Sequence, residues 1–193
     1  MKALLNLHRS KHFNKFSTAI FFLTFIAWIF SIGQQSAISM ASQPSDLNLK
    51  LDKEFSGIAK VTDGDSIKVD EKKIRLMGID APEYSQTCFD GTGEEYACGK
   101  MSKEFLMNFA NGKEVKCFYA KFDKYNRYLS QCFVGELMVN KEILRNGMAV
   151  TYTFGPADEE FSKLEAEAQE KKLGIWQGAF QLPKDYRKMH PRK

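Results

Sequence analysis

Between Phe55 and Gly78 the chain carries three short β-branched stretches, Ile58 to Val61, Ser66 to Val69 and Lys73 to Met77, each stopped by turn chemistry. Segments of that length and spacing read as a β-meander rather than as helices. Asp63-Gly64 and Asp70-Glu71 fall where hairpin turns belong, although the second lacks the glycine such turns favour. A polar stretch from Pro82 to Gly99 follows, and then Met101, Phe105, Leu106 and Phe109 mark one face of a helix that stops before Gly112. Val115 to Tyr119 and Tyr128 to Val134 form a second strand pair around the charged turn Asp123-Lys124-Tyr125-Asn126-Arg127. Asn140 is placed to cap a short helix through Asn146, with Gly147 ending it. Met148 to Thr153 fits another strand, and Phe161, Leu164 and Ala168 stripe a last helix that ends before Gly174. The expected class is α+β, mainly β: a partly open five-stranded barrel with about three helices.

The formal charge of +4 misleads, because Lys2, Arg9, Lys11 and Lys15 are the only charged residues before Asp46. Without them 24 basic residues face 24 acidic ones. Bulk charge therefore gives no warrant for nucleic-acid binding, which needs a local basic surface. The first forty residues read as an address: a basic stretch, an uncharged run from Phe16 to Ile32, and a small polar region with Ser39-Met40-Ala41 as a cleavage site. An uncleaved signal anchor is the alternative, since the run is near the lower limit for a spanning helix. Both readings export the body, to a secreted or periplasmic location, and membrane contact is expected only through this segment if it is kept.

Cys88, Cys98, Cys117 and Cys132 lie in that exported body, and an even number in an oxidising compartment favours disulfides. Sequence proximity suggests Cys88 with Cys98 and Cys117 with Cys132. Zinc is the competing use, but no Cys-x-x-Cys pair is present and His190 is the only histidine after the leader.

Several polar residues stand against the pattern: Asp63 and Asp65 around Gly64, Arg75 within an apolar strand, Asp80 and Glu83 beside Pro82, and Arg127 after the charged turn. Each has a bland reading. Asp-Gly-Asp is a common turn, Arg75 could face solvent, and Asp80 and Glu83 could flank a loop. Together they supply hard carboxylate oxygens for a divalent cation, a further carboxylate for proton handling, and two guanidiniums for a phosphate. With no body histidine but His190, a carboxylate must serve as any general base.

The segments VTDGDSIKV, IRLMGIDAPE and DKYNR, with NKEILRNGMA and LGIW, occur in the order and approximate spacing of the staphylococcal nuclease family. The chain resembles that family from about Ser56 to Trp176, in its cysteine-containing exported bacterial form. The resemblance implies an OB-type Greek-key barrel and one calcium ion, held by Asp65, Asp80 and the backbone carbonyl at Ala81. It implies that Arg75 and Arg127 contact the scissile phosphate, and that Glu83 is the general base or orients the attacking water. Lys124 and Tyr125 match positions that touch a terminal phosphate of bound nucleotide, and Tyr152 an aromatic near the base. Departures from the best-known member are Ser66 and Ala81 in place of threonines, the cysteine-bearing insertion Gln86 to Gly99, Asn126 for glycine and Phe154 for tyrosine.

The expected organisation is a signal peptide or anchor over 1–41, a linker over 42–54, a nuclease-like domain over 55–178 and a basic C-terminal tail over 179–193. The expected function is calcium-dependent hydrolysis of phosphodiester bonds in DNA and RNA, leaving 3′-phosphates, by a monomer. The alternatives are a non-catalytic OB-fold module that binds nucleic acid or protein, and an envelope adaptor tethered by its leader.

Overall fold

The computed structural model describes residues 51–153 and 158–191. The leader expected over 1–41 and the departure at Phe154 lie outside the described residues.

Three antiparallel strands come first, β1 (Lys53–Asp63), β2 (Ser66–Val69) and β3 (Lys72–Leu76). The two-residue period of a strand sends Ala59, Val61, Ile67, Val69, Ile74 and Leu76 to one face, and all six are buried. The β2–β3 turn works without glycine because Asp70 adopts a left-handed φ of 51°, which Asp tolerates better than most residues.

A two-residue strand β4 (Ile79–Asp80) follows, and then the hairpin of β5 (Cys88–Phe89) and β6 (Glu95–Tyr96). Helix α1 (Cys98–Ala110) begins three residues before the apolar stripe and buries Leu106 and Ala110. Strand β7 (Glu114–Phe122) pairs with β1, and β8 (Tyr128–Val134) pairs with β7. Parallel pairing of β3 with β8, Ile74 opposite Tyr128 and Arg75 opposite Leu129, closes the ring. The order β3-β2-β1-β7-β8 is that of a closed, five-stranded OB-type barrel, with short β9 (Leu137–Met138) added beside β8.

Helices α2 (Val139–Arg145) and α3 (Glu159–Glu170) pack on one another and close the core, while β10 (Val150–Thr151) pairs with β4. Asp158 caps α3 by accepting from the Glu160 and Phe161 N–H groups at 3.0 and 3.1 Å. Phe161, Leu164 and Ala168 are buried as their stripe requires. A 3₁₀ turn over Gly174–Gln177 leads to α4 (Pro183–Met189), the fourth α-helix among the described residues, within the stretch read as a basic tail.

Asn140 corrects one expectation. It lies inside α2, not at its cap, because Met138 of β9 already occupies the capping position. Its buried amide accepts from the Cys132 N–H (3.1 Å) and donates to the Met77 and Ser130 carbonyls (2.8 and 3.2 Å). It pairs backbone groups of Cys132, Met77 and Ser130 inside the core, where water cannot reach them.

Both disulfides form as sequence proximity suggested, Cys88 with Cys98 and Cys117 with Cys132, so no thiol remains for zinc. The first ties β5 to the start of α1, and the second joins directly opposed residues of β7 and β8. Closing loops of these lengths stabilises the fold by about 2.5 to 3 kcal/mol each in the chain-entropy account. Two disulfides fit an oxidising compartment. Among the described residues no helix is long and apolar enough to cross a membrane.

Candidate active site

The turn after β1 brings Asp65 against β4, and the glycine of Asp63-Gly64-Asp65 allows that approach. A Cβ on Gly64 would come within 2.9 Å of the Ala81 Cβ and 3.1 Å of the Ser102 Cβ. Asp65 is 4% exposed and Asp80 1%, among the few buried charged residues of the described chain. The Ala81 N–H donates to Asp65 Oδ2 at 3.1 Å, and the Ser66 hydroxyl donates to Asp65 Oδ1 at 2.9 Å.

Arg75 faces away from its buried neighbours Ile74 and Leu76, as strand alternation requires, but it does not face open solvent. Its Nη1 pairs with Asp65 Oδ2, and its Nη2 lies 2.6 Å from Asp80 Oδ1. Nη2 also donates to the Ile79 carbonyl at 3.3 Å. One guanidinium therefore joins the two acids. Burial pulls the Arg75 guanidinium below its ordinary value, the Asp80 charge and hydrogen bond oppose this, and Arg127 and Arg187 add repulsion.

Arg127 reaches the site from the β7–β8 turn. Asn126 takes the left-handed φ of 57° that an asparagine accepts and most residues resist. Asp123 organises this turn: its Oδ1 accepts the Tyr125 and Arg127 N–H groups, each at 2.9 Å. Its Oδ2 holds Arg127 Nε and Nη2, each at 2.7 Å. Burial pushes the Asp123 carboxyl up, but these hydrogen bonds prevail and hold it below the usual carboxylate value. Arg127 Nη1 is directed at the Ser66 hydroxyl, 3.5 Å away, beside Asp65.

Glu83 is set by the insertion. Its N–H donates to Gln86 Oε1 (3.3 Å), and its carbonyl accepts the Gln86 N–H (2.7 Å). Helix α1 packs so closely that a Cβ on Gly99 would land on the Glu83 carbonyl. Gln86, fully buried, also donates through Nε2 to the Gln181 carbonyl at 2.7 Å. The insertion and the segment before α4 are thereby linked under the site.

The expected residues do not all converge. Asp65, Arg75, Asp80, Glu83 and Arg127 gather around one cluster, whereas Tyr125 is 65% exposed on the turn, with the Lys124 ammonium and the Arg127 guanidinium 5.0 and 5.4 Å from its ring centroid. Tyr152 follows β10, its N–H bonded to the Gly78 carbonyl at 2.9 Å. Three members were not singled out from the sequence: Asp123, Gln86 and Arg187. Asp123 had a readable signal, an aspartate opening a tight turn that its own side chain can bond. Gln86 looked like loop polarity, and Arg187 was one of several basic residues in the tail.

Comparisons with known proteins identify the family. The model for staphylococcal nuclease homologues matches residues 73–178. The chain belongs to that family. An uncharacterized endonuclease of Escherichia coli is 34% identical over 131 residues, covering 65% of this chain and 79% of that protein. A succinoglycan biosynthesis protein of Rhizobium meliloti is 34% identical over 126 residues, 62% of this chain and 63% of its own length. A probable endonuclease of Pyricularia oryzae is 30% identical over 129 residues, 61% of this chain and 49% of its own. The match thus spans under two thirds of the last two relatives. Staphylococcal nuclease homologues are hydrolytic nucleases that generally depend on calcium. Among the described residues no three acidic, His or Cys side chains converge into a closed metal cage. The donor set still suits a hard cation. Asp65 and Asp80 are buried acids with oxygen donors only, and positive guanidiniums balance them here.

Proposed function

We propose that the protein is a calcium-dependent nuclease that hydrolyses phosphodiester bonds of DNA and RNA and leaves 3′-phosphates. The observation that carries this reading is the pair of buried acids, Asp65 and Asp80, held on one guanidinium beside Arg127 and Glu83. Buried charges that cost desolvation and add little net stability are expected where chemistry needs them.

In this reading Asp65 and Asp80, with the Ala81 carbonyl, would hold one calcium ion, which would supply Lewis-acid polarisation of a phosphate oxygen. Few protein ligands imply weak binding, at about 10⁻⁴ to 10⁻³ M as in extracellular calcium modules. Glu83 takes the proton from a water attacking phosphorus in line with the departing 5′-oxygen. Arg75 and Arg127 donate to the equatorial phosphate oxygens as negative charge accumulates, with Asp123 holding the Arg127 fork in place. Lys124 and Tyr125 receive a terminal phosphate at the exposed turn, and Tyr152 lies beside a base.

The accompanying organisation is also proposed: an exported monomer with its leader over 1–41, a linker over 42–54, the nuclease domain over 55–178 and a C-terminal segment over 179–193. An end-labelled, denatured DNA strand and the matching RNA test the function together. Cleavage of both to fragments ending in 3′-phosphate, in millimolar calcium, is expected. Tight binding without cleavage would favour the non-catalytic OB-fold module instead.

A further inference from the structure

Arg187 lies outside every segment that carries the family resemblance, yet its guanidinium rests on two acids of the site. Nη1 donates to Asp80 Oδ1 at 2.9 Å and to Glu83 Oε1 at 3.1 Å, and Nη2 donates to Asp80 Oδ2 at 2.9 Å. Both oxygens of Asp80 are therefore engaged by guanidinium, Oδ1 by Arg75 and Arg187 and Oδ2 by Arg187. Helix α4 is brought there by the Gln86 link to the Gln181 carbonyl, by buried Pro183, and by the Tyr186 hydroxyl donating to the Ser85 carbonyl at 3.2 Å.

We propose that Arg187 is an internal counter-ion of the acid cluster that a divalent cation displaces, so that docking of helix α4 and metal binding at Asp80 oppose one another. This rests on the assignment of Asp65 and Asp80 as metal-binding acids made above. A planar fork that takes both oxygens of a carboxylate leaves no open face for a cation on the same side. Charge points the same way. Asp65, Asp80 and Glu83 face Arg75, Arg127 and Arg187, and Arg127 is further paired with Asp123. Four carboxylates then face three guanidiniums, so a dication entering with all three in place leaves an excess positive charge, which departure of one guanidinium relieves.

Arg187 is the guanidinium best able to leave. Its side chain is 34% exposed, against 14% for Arg75 in the barrel wall and 27% for Arg127 on its organised turn. Its departure also releases Glu83 Oε1, which in the docked arrangement serves as a counter-ion rather than a base. One displacement thus exposes a metal ligand and the proton acceptor together, and at low calcium helix α4 restrains the site.

Two measurements on the full chain test the coupling. Hydrogen exchange of residues 183–189 in the wild-type protein is expected to quicken when calcium is added. Calorimetric titration with calcium is expected to show Arg187→Gln binding on the order of 10-fold more tightly than wild type, a usual size for coupling between two binding events, with Arg187→Lys between the two. Unchanged exchange in α4, or a glutamine variant that binds calcium no better than wild type, overturns the coupling and leaves the nuclease reading standing. Absence of calcium binding in both proteins overturns the metal assignment and this inference with it. The exchange arm uses only wild-type protein, so a glutamine variant that fails to fold does not shelter the idea.

Discussion

Arg127 and Tyr128 are adjacent in sequence and belong to two opposite kinds of structure. Tyr128 joins Phe55, Tyr119 and Phe122 in an aromatic cluster on β1, β7 and β8, with ring centroids 4.5 to 5.3 Å from Tyr128. Arg127 joins Asp65, Arg75, Asp80 and Glu83 in a charged cluster fed by turns and strand ends. The boundary between the β7–β8 turn and the first residue of β8 divides them. The aromatic cluster stabilises through apolar area, a term without direction that tolerates repacking. The charged cluster desolvates ions that attract one another but gain little net stability, and its order serves another purpose. Stability and the proposed activity therefore draw on different residues of one hairpin.

Arg127→Lys should break the comparison most visibly if it is wrong. Lysine keeps the charge and loses the fork, so kcat on denatured DNA should fall by about 10² or more, the scale for losing one donor to a developing anion. Denaturant melts should move by no more than about 1 kcal/mol, because the half-buried side chain loses its forked bonds to Asp123 while the charge is kept. A lysine variant retaining more than about half the activity would lack the bidentate contribution expected of a phosphate clamp and return Arg127 to a plain turn residue.

Tyr128→Ala should do the reverse. Loss of a half-buried ring from an aromatic cluster should cost about 2 kcal/mol, visible as a lower denaturant midpoint, while kcat well below the melting temperature stays within about twofold. A large rate loss with unchanged stability would show that the two clusters are not separable.

Gln86→Leu sharpens the boundary between them. The leucine cannot satisfy the Glu83 N–H or the Gln181 carbonyl, so about 1 to 2 kcal/mol should be lost. Because the loop presenting Glu83 loosens, kcat should also drop severalfold with KM nearly unchanged, as steady-state rates would reveal. An effect on stability alone would place Gln86 with the structural residues.

The barrel was legible because its signals are local. Alternation over Ile58 to Val61 and Ser66 to Val69, the turn residues Asp63-Gly64, and the stripe of Phe161, Leu164 and Ala168 each act within a few residues, and the buried set follows them. Asn140 was misread because a capping preference is a local rule, and here the partners are Met77, Ser130 and Cys132, remote in sequence. In the site, Asp65, Arg75, Asp80, Glu83 and Arg127 stood out by resemblance and by being polar against an apolar pattern. Arg187 offered neither sign. It reaches Asp80 across 107 positions of sequence, through a helix whose approach depends on Gln86 and Gln181. No periodicity or turn rule encodes such a contact.

The activity proposed for the charged cluster is calcium-dependent phosphodiester hydrolysis. Its most direct test is the initial rate of denatured-DNA hydrolysis by the full chain as free calcium is raised from excess chelator into the millimolar range. A rate that vanishes in chelator and saturates with a midpoint of about 10⁻⁴ to 10⁻³ M is the predicted result. Full activity in excess chelator would contradict it.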